Sequence, residues 1–359
     1  MKRAHNFSAG PAALPLEVLE EAQKEFTLYG DSGSSIIELS HRGPEYIEVD
    51  AQARERLSGL LGLGDEFEIM FLQGGASHQF MMVPFNFLDK DKTADYINTG
   101  TWSKKAIKEA KLFGNVNVPY SSEEQNFNRV PESSELKLSG KAEYVHFTSN
   151  NTIFGTQFSK EPETNGVPLV CDASSDFLSR PLDMKKYGLI YAGAQKNAGP
   201  AGLTIVIIRK SFLEKGKKEG IPTILNYNTH VGTMFNTPPV FGVYMFNKVL
   251  GWIERKGGLE AIAKRNEAKA KVLYDEIDAD DFYAGTTEKS SRSLMNATFR
   301  LKDEALEKAF LAEAEKHNLN GLKGHRSVGG IRASIYNACE PESIEALVSF
   351  MKDFRSKNG

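Results

Sequence analysis

The chain has 359 residues, of which 40 % are hydrophobic and 25 % charged, and its formal net charge is −3. This length is enough for two domains, and the nearly balanced charge argues against non-specific binding to nucleic acid. No apolar run reaches the roughly 18 residues that a membrane-spanning helix needs.

The chain contains two cysteines, Cys171 and Cys339. Neither belongs to a C-x2-C pair, and we expect no metal site. Because no signal-peptide pattern is found either, we expect the protein to work in a reducing cytoplasm.

The first predicted elements are a loop and two helices. Pro, Gly and Ala dominate residues 6–15, which favours an ordered loop, and a helix is predicted over 16–28. A second helix is predicted over 45–63, and Pro44 suits its first position. One face of this second helix collects Tyr46, Val49, Ala53, Leu57 and Leu60, the spacing of an amphipathic helix.

Short apolar runs then alternate with loops and helical stretches. Seven of them are predicted to be strands: 68–72, 93–98, 115–118, 144–148, 168–172, 189–192 and 203–208. Several lack polar alternation, which is typical of strands covered on both faces. This pattern predicts an α/β domain with a mostly parallel seven-stranded sheet.

The pattern changes after residues 257–258. A charged helix is predicted over 259–277, and it is followed by a strand, a helix, a strand and a final helix at 294–301, 304–317, 331–336 and 342–354. This composition predicts a smaller α+β C-terminal domain. We therefore assign 16–257 to a large domain, and 1–15 with 258–359 to a small domain.

Lys196 occupies an unusual position, in the small-residue loop YAGAQKNAGPAG at 191–202, between two apolar runs. Burial in such a loop would lower the pKa of the amine and make it a nucleophile that can form a Schiff base. The alternative from the loop alone is a surface lysine in a turn.

Asp172 ends an apolar run, and an acid at the carboxyl end of a parallel strand points into the crevice where such sheets bind ligands. A Schiff-base lysine with an aspartate is the pair that pyridoxal 5'-phosphate requires, because the carboxylate keeps the pyridine nitrogen protonated. The alternative is a helix-capping or turn acid, since Ser174 and Ser175 follow.

Two further segments fit the same cofactor. The segment FLQGGASHQF at 71–80 predicts a strand, a Gly-Gly turn and the start of a helix, where a phosphate can bind. The alternative is a plain strand–helix turn that binds no ligand. Trp102 follows the predicted strand 93–98 and could stack on a pyridine ring, or it could simply cap the core.

Seven segments together resemble the phosphoserine aminotransferases, class-V enzymes that use pyridoxal 5'-phosphate. They are FSAGPAALP (7–15), ELSHRGPEY (38–46), GGASHQF (74–80), NTGTWSKKA (98–106), AGAQKNAGPAG (192–202), FNTPPVF (235–241) and GHRSVGGIRASIYNA (324–338). The matches follow the family's order along nearly the whole chain.

The resemblance implies fold type I of the pyridoxal-phosphate-dependent transferases and a homodimer with active sites at the subunit interface. It implies that Lys196 carries the cofactor, that Asp172 faces the pyridine nitrogen and that Trp102 stacks on the ring. Further cofactor contacts are expected from Ala76, Ser77, Thr152 and Gln195, and from Asn236 and Thr237 of the neighbouring subunit. His78 is a departure, because some members carry an arginine close to this turn.

The substrates that the family implies are acids: O-phosphoserine, glutamate and their keto partners. Arginine suits them, since its guanidinium binds a carboxylate or a phosphate through two hydrogen bonds. Any single arginine could be a solvated surface charge. By resemblance, Arg332 binds the α-carboxylate and His41 and Arg42 hold the distal acid group. His325 and Arg326 are expected to assist in binding the phosphate, from the other subunit.

Other functions also remain compatible with these sequence patterns. A cysteine desulfurase or a serine–pyruvate aminotransferase would share the fold, but a desulfurase needs a reactive cysteine on a mobile loop. A cofactor-binding regulator without catalysis would not need the full set of Lys196, Asp172 and substrate arginines. Activity on a phosphorylated hydroxythreonine in vitamin B6 synthesis is a further property of the family that the sequence leaves open.

Overall fold

The computed structural model describes residues 3–216 and 219–359. The α-helices in this part of the chain are α1 (Leu16–Glu25), α2 (Pro44–Leu61), α3 (Gly75–Phe87), α4 (Thr101–Ala110), α5 (Lys210–Leu213), α6 (Val240–Arg255), α7 (Gly258–Ile277), α8 (Glu304–Lys316) and α9 (Pro341–Asn358).

Several of the strands in the described part of the chain are only two residues long. The strands are β1 (His5–Asn6), β2 (Phe67–Leu72), β3 (Thr93–Tyr96), β4 (Asn115–Asn117), β5 (Ala142–Thr148), β6 (Asn150–Asn151), β7 (Thr156–Gln157), β8 (Leu169–Asp172), β9 (Tyr187–Gly193), β10 (Thr204–Arg209), β11 (Ala284–Gly285), β12 (Asn296–Arg300), β13 (Leu319–Asn320) and β14 (Ile331–Ser334).

The main sheet has seven strands in the order β2-β10-β9-β8-β5-β3-β4, and they are the seven predicted from the apolar runs. Pairings among β9, β8, β5, β3 and β4 are parallel, whereas β10 is antiparallel to both of its neighbours. The predicted α/β fold with a mostly parallel sheet is therefore confirmed, together with the smaller α+β part.

The apolar runs lack alternation because both faces of the sheet are covered. Along β9, Ile190 and Ala192 pack into one hydrophobic cluster, while Leu189 and Tyr191 pack into another on the opposite face. Side chains alternate between the two faces of a strand, so every position of this strand is buried.

A separate cluster is formed by the C-terminal elements. It contains Phe299 of β12, Ala333 of β14, Phe310 of α8 and Met351 of α9. Phe7 joins it as well, because β1 pairs with β13 in parallel.

Helix α7 spans the junction between the clusters. Leu259 and Ile262 pack in the large cluster, and Leu273 and Ile277 in the small one. The domain division at 257/258 stays a prediction.

The first two helices differ slightly from prediction. Helix α1 ends at Glu25, short of the predicted Leu28, and Phe26 and Leu28 are exposed. Phe26 contacts only the edge of the core, through an edge-to-face contact with Phe241 at 6.1 Å between ring centroids. Helix α2 begins with Pro44 at its first position, as predicted.

Candidate active site

The candidate site lies at one edge of the main sheet. Strands β2, β3, β5, β8 and β9 run in the same direction, because β10 is antiparallel to both β2 and β9. Ligands of such sheets bind outside the carboxyl ends of the strands. The segments that follow these ends carry Gly74, Trp102, Asn150, Asp172 and Lys196.

Lys196 lies in the turn between β9 and β10. The turn is closed by hydrogen bonds from the N–H groups of Ala198 and Gly199 to the Ala194 carbonyl, at 3.0 and 2.8 Å. The Lys196 ammonium donates a hydrogen bond of 2.6 Å to the Thr152 hydroxyl.

Burial shifts the protonation equilibrium of Lys196 towards the neutral amine. Burial lowers the pKa of Lys196 to about 8; the charge of Asp172 opposes this lowering, and that of Arg332 adds to it. A neutral amine is therefore accessible near neutral pH, and it can act as a nucleophile or as a base.

The N-terminal loop closes over this lysine. A Cβ atom at Gly10 would lie 3.4 Å from Lys196 Cγ, and the φ angle of Gly10 is +151°. The Ala12 N–H donates a 2.9 Å hydrogen bond to the Gln195 carbonyl. A Cβ atom would thus be in ordinary van der Waals contact with the lysine, and it is the positive φ angle that favours glycine at position 10.

Asp172, the last residue of β8, is only 3 % exposed. Its Oδ1 accepts a 3.0 Å hydrogen bond from the Ser174 N–H. Burial raises the pKa of Asp172, while hydrogen bonds from Ser174 and the positive charge of Lys196 oppose the rise. A carboxylate in this position stabilises a cationic group placed opposite to it.

A cavity of about 200 Å³ separates these groups. Among the residues predicted to contact the cofactor, six line it: Ala76, Ser77, Trp102, Asp172, Gln195 and Lys196. The Lys196 ammonium lies 5.6 Å from the Trp102 ring centroid. The indole Nε1 is buried with no hydrogen-bond partner in the described structure. Trp102 thus contributes a large aromatic side chain to the lining of the cavity.

The start of helix α3 provides hydrogen-bond donors. Its N-cap is Gly74, with a φ angle of +89°, and Ala76 and Ser77 lie in its first turn. The first N–H groups of a helix have no partner within it, and the helix dipole is positive at this end. His78 packs against the turn, since a Cβ atom at Gly74 would come within 2.4 Å of its Nδ1.

Thr152 connects Lys196 with Arg332. Its hydroxyl accepts the lysine hydrogen bond, and its carbonyl accepts a 3.3 Å hydrogen bond from Arg332 Nη1. Burial lowers the pKa of Arg332, and its buried Nε has no hydrogen-bond partner in the described part of the chain. Arg332 also lines a larger cleft of about 1080 Å³. It thus has donors available for an anion that enters this cleft.

His325 and Arg326 belong to the same electropositive region. The pKa of His325 is lowered by burial and by the charges of Arg332, Arg326 and Lys105. His325 Nδ1 lies 2.7 Å from the Ser327 hydroxyl. The positive charges around His325 therefore repel its protonated form.

His41 and Arg42 lie in the loop before α2, and Arg42 Nε is 3.4 Å from His41 Nε2. Neither residue lines the 200 Å³ cavity or the larger cleft of this chain. Asn236 and Thr237 are also outside both linings. They contact Gln73, through Asn236 Nδ2 to Gln73 Oε1 at 3.2 Å and Gln73 Nε2 to the Thr237 carbonyl at 2.7 Å.

Several residues near the site were missed by sequence reasoning. Thr148, Asn150 and Ser174 line the cavity, and Gly10 lies close to the Lys196 side chain. Small and polar residues directly after the ends of β5 and β8 were the available signal. The contact of Gly10 joins positions far apart in sequence, and periodicity carries no signal for it.

Within residues 3–216 and 219–359, no cluster of three or more His, Cys, Asp or Glu side chains is arranged to hold a metal ion. No helix in these ranges combines the length and apolar character needed to cross a membrane. Both cysteines are buried thiols; burial raises the pKa of Cys171, and it raises that of Cys339 to about 11.

Comparisons with known proteins agree with this geometry. The class-V aminotransferase family model matches residues 4–347. The phosphoserine aminotransferase of Desulfosudis oleivorans is 56 % identical over 362 residues, covering 100 % of this chain and 99 % of the relative. That of Niallia circulans is 53 % identical, with the same coverage of both proteins.

Solved structures give the same result. Phosphoserine aminotransferase from Bacillus circulans subsp. alkalophilus superposes with a TM-score of 0.98 at 52 % identity, over 100 % of both chains. A phosphoserine aminotransferase with bound pyridoxal phosphate, from Trichomonas vaginalis, superposes with a TM-score of 0.93 at 44 % identity, over 98 % of this chain and 100 % of that one. The chain therefore belongs to the class-V aminotransferases and, within them, to the phosphoserine aminotransferases.

Proposed function

We propose that this chain transfers the amino group of O-phospho-L-serine reversibly to 2-oxoglutarate, giving 3-phosphohydroxypyruvate and glutamate, in serine biosynthesis. The observation that carries the proposal is the placement of a half-buried lysine of lowered pKa and a buried carboxylate on one small cavity beside Arg332. The named activity of full-length relatives supports the same reaction.

The cavity fits pyridoxal 5'-phosphate. Lys196 offers an amine of lowered pKa, Asp172 a buried carboxylate for a protonated ring nitrogen, and Trp102 a flat wall for the ring. Ala76 and Ser77 offer free N–H groups at a helix start to the phosphate. The bound cofactor supplies an aldehyde carbon that combines with amines and a ring that withdraws electrons from the substrate α-carbon.

Each residue of the chain then has a defined task. Lys196 would hold the cofactor covalently and, as a free amine of lowered pKa, would move the α-proton as general base. Thr152 accepts a hydrogen bond from Lys196 and so fixes the direction of the amine. Asp172 keeps its negative charge facing the ring nitrogen. Gln195 lines the cavity beside Lys196 and closes the cofactor site.

Substrate selection is assigned to the basic groups. Arg332 binds the α-carboxylate that all substrates share, through donors that lack protein partners. His325 and Arg326 are assigned to the distal acid, because the nearby positive charges that lower the pKa of His325 would favour a bound anion. Neither side chain lines the cavity or the larger cleft of its own chain. One amino acid must leave as its keto acid before the second acid enters the same site, so ping-pong kinetics follow.

We also propose a homodimer that completes the site. His41, Arg42, Asn236 and Thr237 lie outside the cavity of their own chain, and large apolar side chains flank them in sequence. Ile37 and Ile47 bracket the first pair, Phe235 precedes the second, and all three are exposed. A second copy that covers these segments would bury these side chains and bring its own four residues to the cavity.

A cysteine desulfurase is the weaker alternative. Its nucleophile would have to be Cys171 or Cys339, but both thiols are buried and the pKa of each is raised. A reactive cysteine needs a lowered pKa and access to substrate. We further propose a cytoplasmic location and, as a side activity, the phosphorylated hydroxythreonine of vitamin B6 synthesis.

The test is a transamination assay on the purified holoenzyme. Phosphoserine and 2-oxoglutarate should yield glutamate at a rate that depends on both substrates in ping-pong fashion, and cysteine should yield no sulfide. Glutamate formation from alanine or serine as readily as from phosphoserine would contradict the proposal.

A further inference from the structure

Lys269, on helix α7, is a buried cation outside the cofactor cavity. It is only 2 % exposed, and none of the ion pairs in the described part of the chain includes it. Burial lowers its pKa to about 8, while Cys339 opposes the lowering. A lysine is rarely buried without a carboxylate, so its retention here calls for a specific partner.

The partner is a single turn of backbone. Lys269 Nζ donates hydrogen bonds to the carbonyls of Ile335, Tyr336 and Cys339, at 3.0, 2.7 and 3.1 Å. These three bonds use all three N–H donors of the ammonium group. The turn, residues 335–339, directly follows β14, the strand that carries Arg332.

The same turn contacts the N-terminal loop and also the turn that carries Lys196. The Tyr336 hydroxyl donates a 2.7 Å hydrogen bond to the carbonyl of Ala9, which precedes Gly10 against the Lys196 side chain. The Asn337 N–H donates a 2.9 Å hydrogen bond to the Oδ1 of Asn197, the residue after Lys196.

The Asn337 side chain adds links to the rest of the molecule. Its Nδ2 donates to the Leu178 carbonyl at 2.8 Å, and its Oδ1 accepts from Asn266 Nδ2, also at 2.8 Å. Asn266 lies on α7, one turn before Lys269. Helix α7 therefore holds the turn at two points.

We propose that Lys269 is a positioning residue that sets the placement of Arg332 relative to Lys196, and thereby the affinity for the α-carboxylate of every substrate. This inference rests on the proposed function. Loss of the three hydrogen bonds frees the turn, and the strand it follows then no longer holds the Arg332–Thr152 contact. Because all substrates share the α-carboxylate, the effect falls equally on phosphoserine and glutamate.

The experiment compares holoenzymes with Lys269→Met and with Lys271→Met. Lys271 is a matched control, since it lies on the same helix but is exposed and pairs with Asp275. We expect Lys269→Met to raise KM for phosphoserine and for glutamate by the same factor, about tenfold, which corresponds to about 1.4 kcal/mol of lost binding. The kcat value should change much less, the cofactor should be retained, and Lys271→Met should match wild type.

A second comparison separates positioning from general destabilisation. On an Arg332→Gln background, Lys269→Met should cause no further loss of kcat/KM, since Lys269 acts through Arg332. A lowered melting temperature with unchanged KM, or an additional loss on that background, would overturn the inference. If Lys269→Met does not fold, Asn337→Ala loosens the same turn and is expected to give the same pattern; an unchanged KM would then overturn it.

A structural readout distinguishes failure of this inference from failure of the proposed function. An inactive wild-type enzyme would refute the proposed function alone. In a crystal structure of Lys269→Met, the Arg332 guanidinium should leave the Thr152 carbonyl. A preserved Arg332–Thr152 contact would overturn the positioning role whatever the activity.

Discussion

Replacing Lys196 with methionine should stabilise the cofactor-free protein while abolishing its activity. Methionine keeps an unbranched apolar stem but removes the buried ammonium. The pKa of Lys196 is lowered from 10.5 to about 8, and each pKa unit corresponds to about 1.4 kcal/mol. Lys196 is only half-buried as a residue, so the gain in the free energy of unfolding is at most about 3 kcal/mol.

The gain depends on pH in a defined direction. Because the folded pKa lies below the unfolded value, the unfolded chain binds more protons at this position between about pH 8 and 10.5. The wild-type protein therefore becomes more stable with rising pH across this window. The advantage of Lys196→Met should be complete below pH 8 and disappear by about pH 10.5.

Urea denaturation of both cofactor-free proteins, at pH 7 and at pH 10, measures this difference. Lys256→Met is a suitable control, because that lysine pairs with Glu17 at the surface. A Lys196→Met variant that is less stable than wild type by the same amount at both pH values would refute the argument that burial of this ammonium is costly.

Three other substitutions test separate parts of the site. Asp172→Asn keeps an acceptor for the Ser174 N–H but removes the charge that faces the ring nitrogen, so kcat should fall by about 10²-fold or more while the fold is retained; near-wild-type kcat would contradict this role. Arg42→Ala should lower kcat/KM for phosphoserine more than for alanine, and equal losses would count against its contact with the distal acid. Ile47→Glu, on the exposed face of α2, should shift the protein to monomers in sedimentation analysis and lower activity in parallel; a fully active monomer would exclude a shared site.

Much of the large sheet could be predicted from the sequence because its strands are buried on both faces. The run at residues 203–208 has Thr204 as its one polar residue and shows no polar alternation, so it indicates a strand covered on both faces regardless of its neighbours. The direction of β10 could not be read in this way, since side-chain burial is the same for a parallel and an antiparallel strand. The two-residue pairing of His5 with Leu319 carries no periodicity at all.

Some residues of the candidate site could likewise be predicted from the sequence, and others could not. Asp172 ends a buried strand, and Lys196 and Trp102 lie within a few residues of the ends of two others. Chain direction alone predicts that such residues meet at one edge of the sheet. Gly10, Asn337 and Lys269 act through backbone contacts between distant segments, which no local pattern records. Lys269 in particular lies in a helix rich in charge, and the sequence alone does not distinguish it from exposed Lys271.

The attachment of the cofactor to Lys196 is tested most directly by trapping. Borohydride reduction of the holoenzyme, followed by proteolysis and mass spectrometry, should place the mass of the reduced cofactor on the peptide that contains Lys196 and on no other lysine peptide. Addition of phosphoserine before the reductant should remove this label. A label on Lys269 or on any other lysine, or a holoenzyme that turns over without any trapped lysine, would contradict the account.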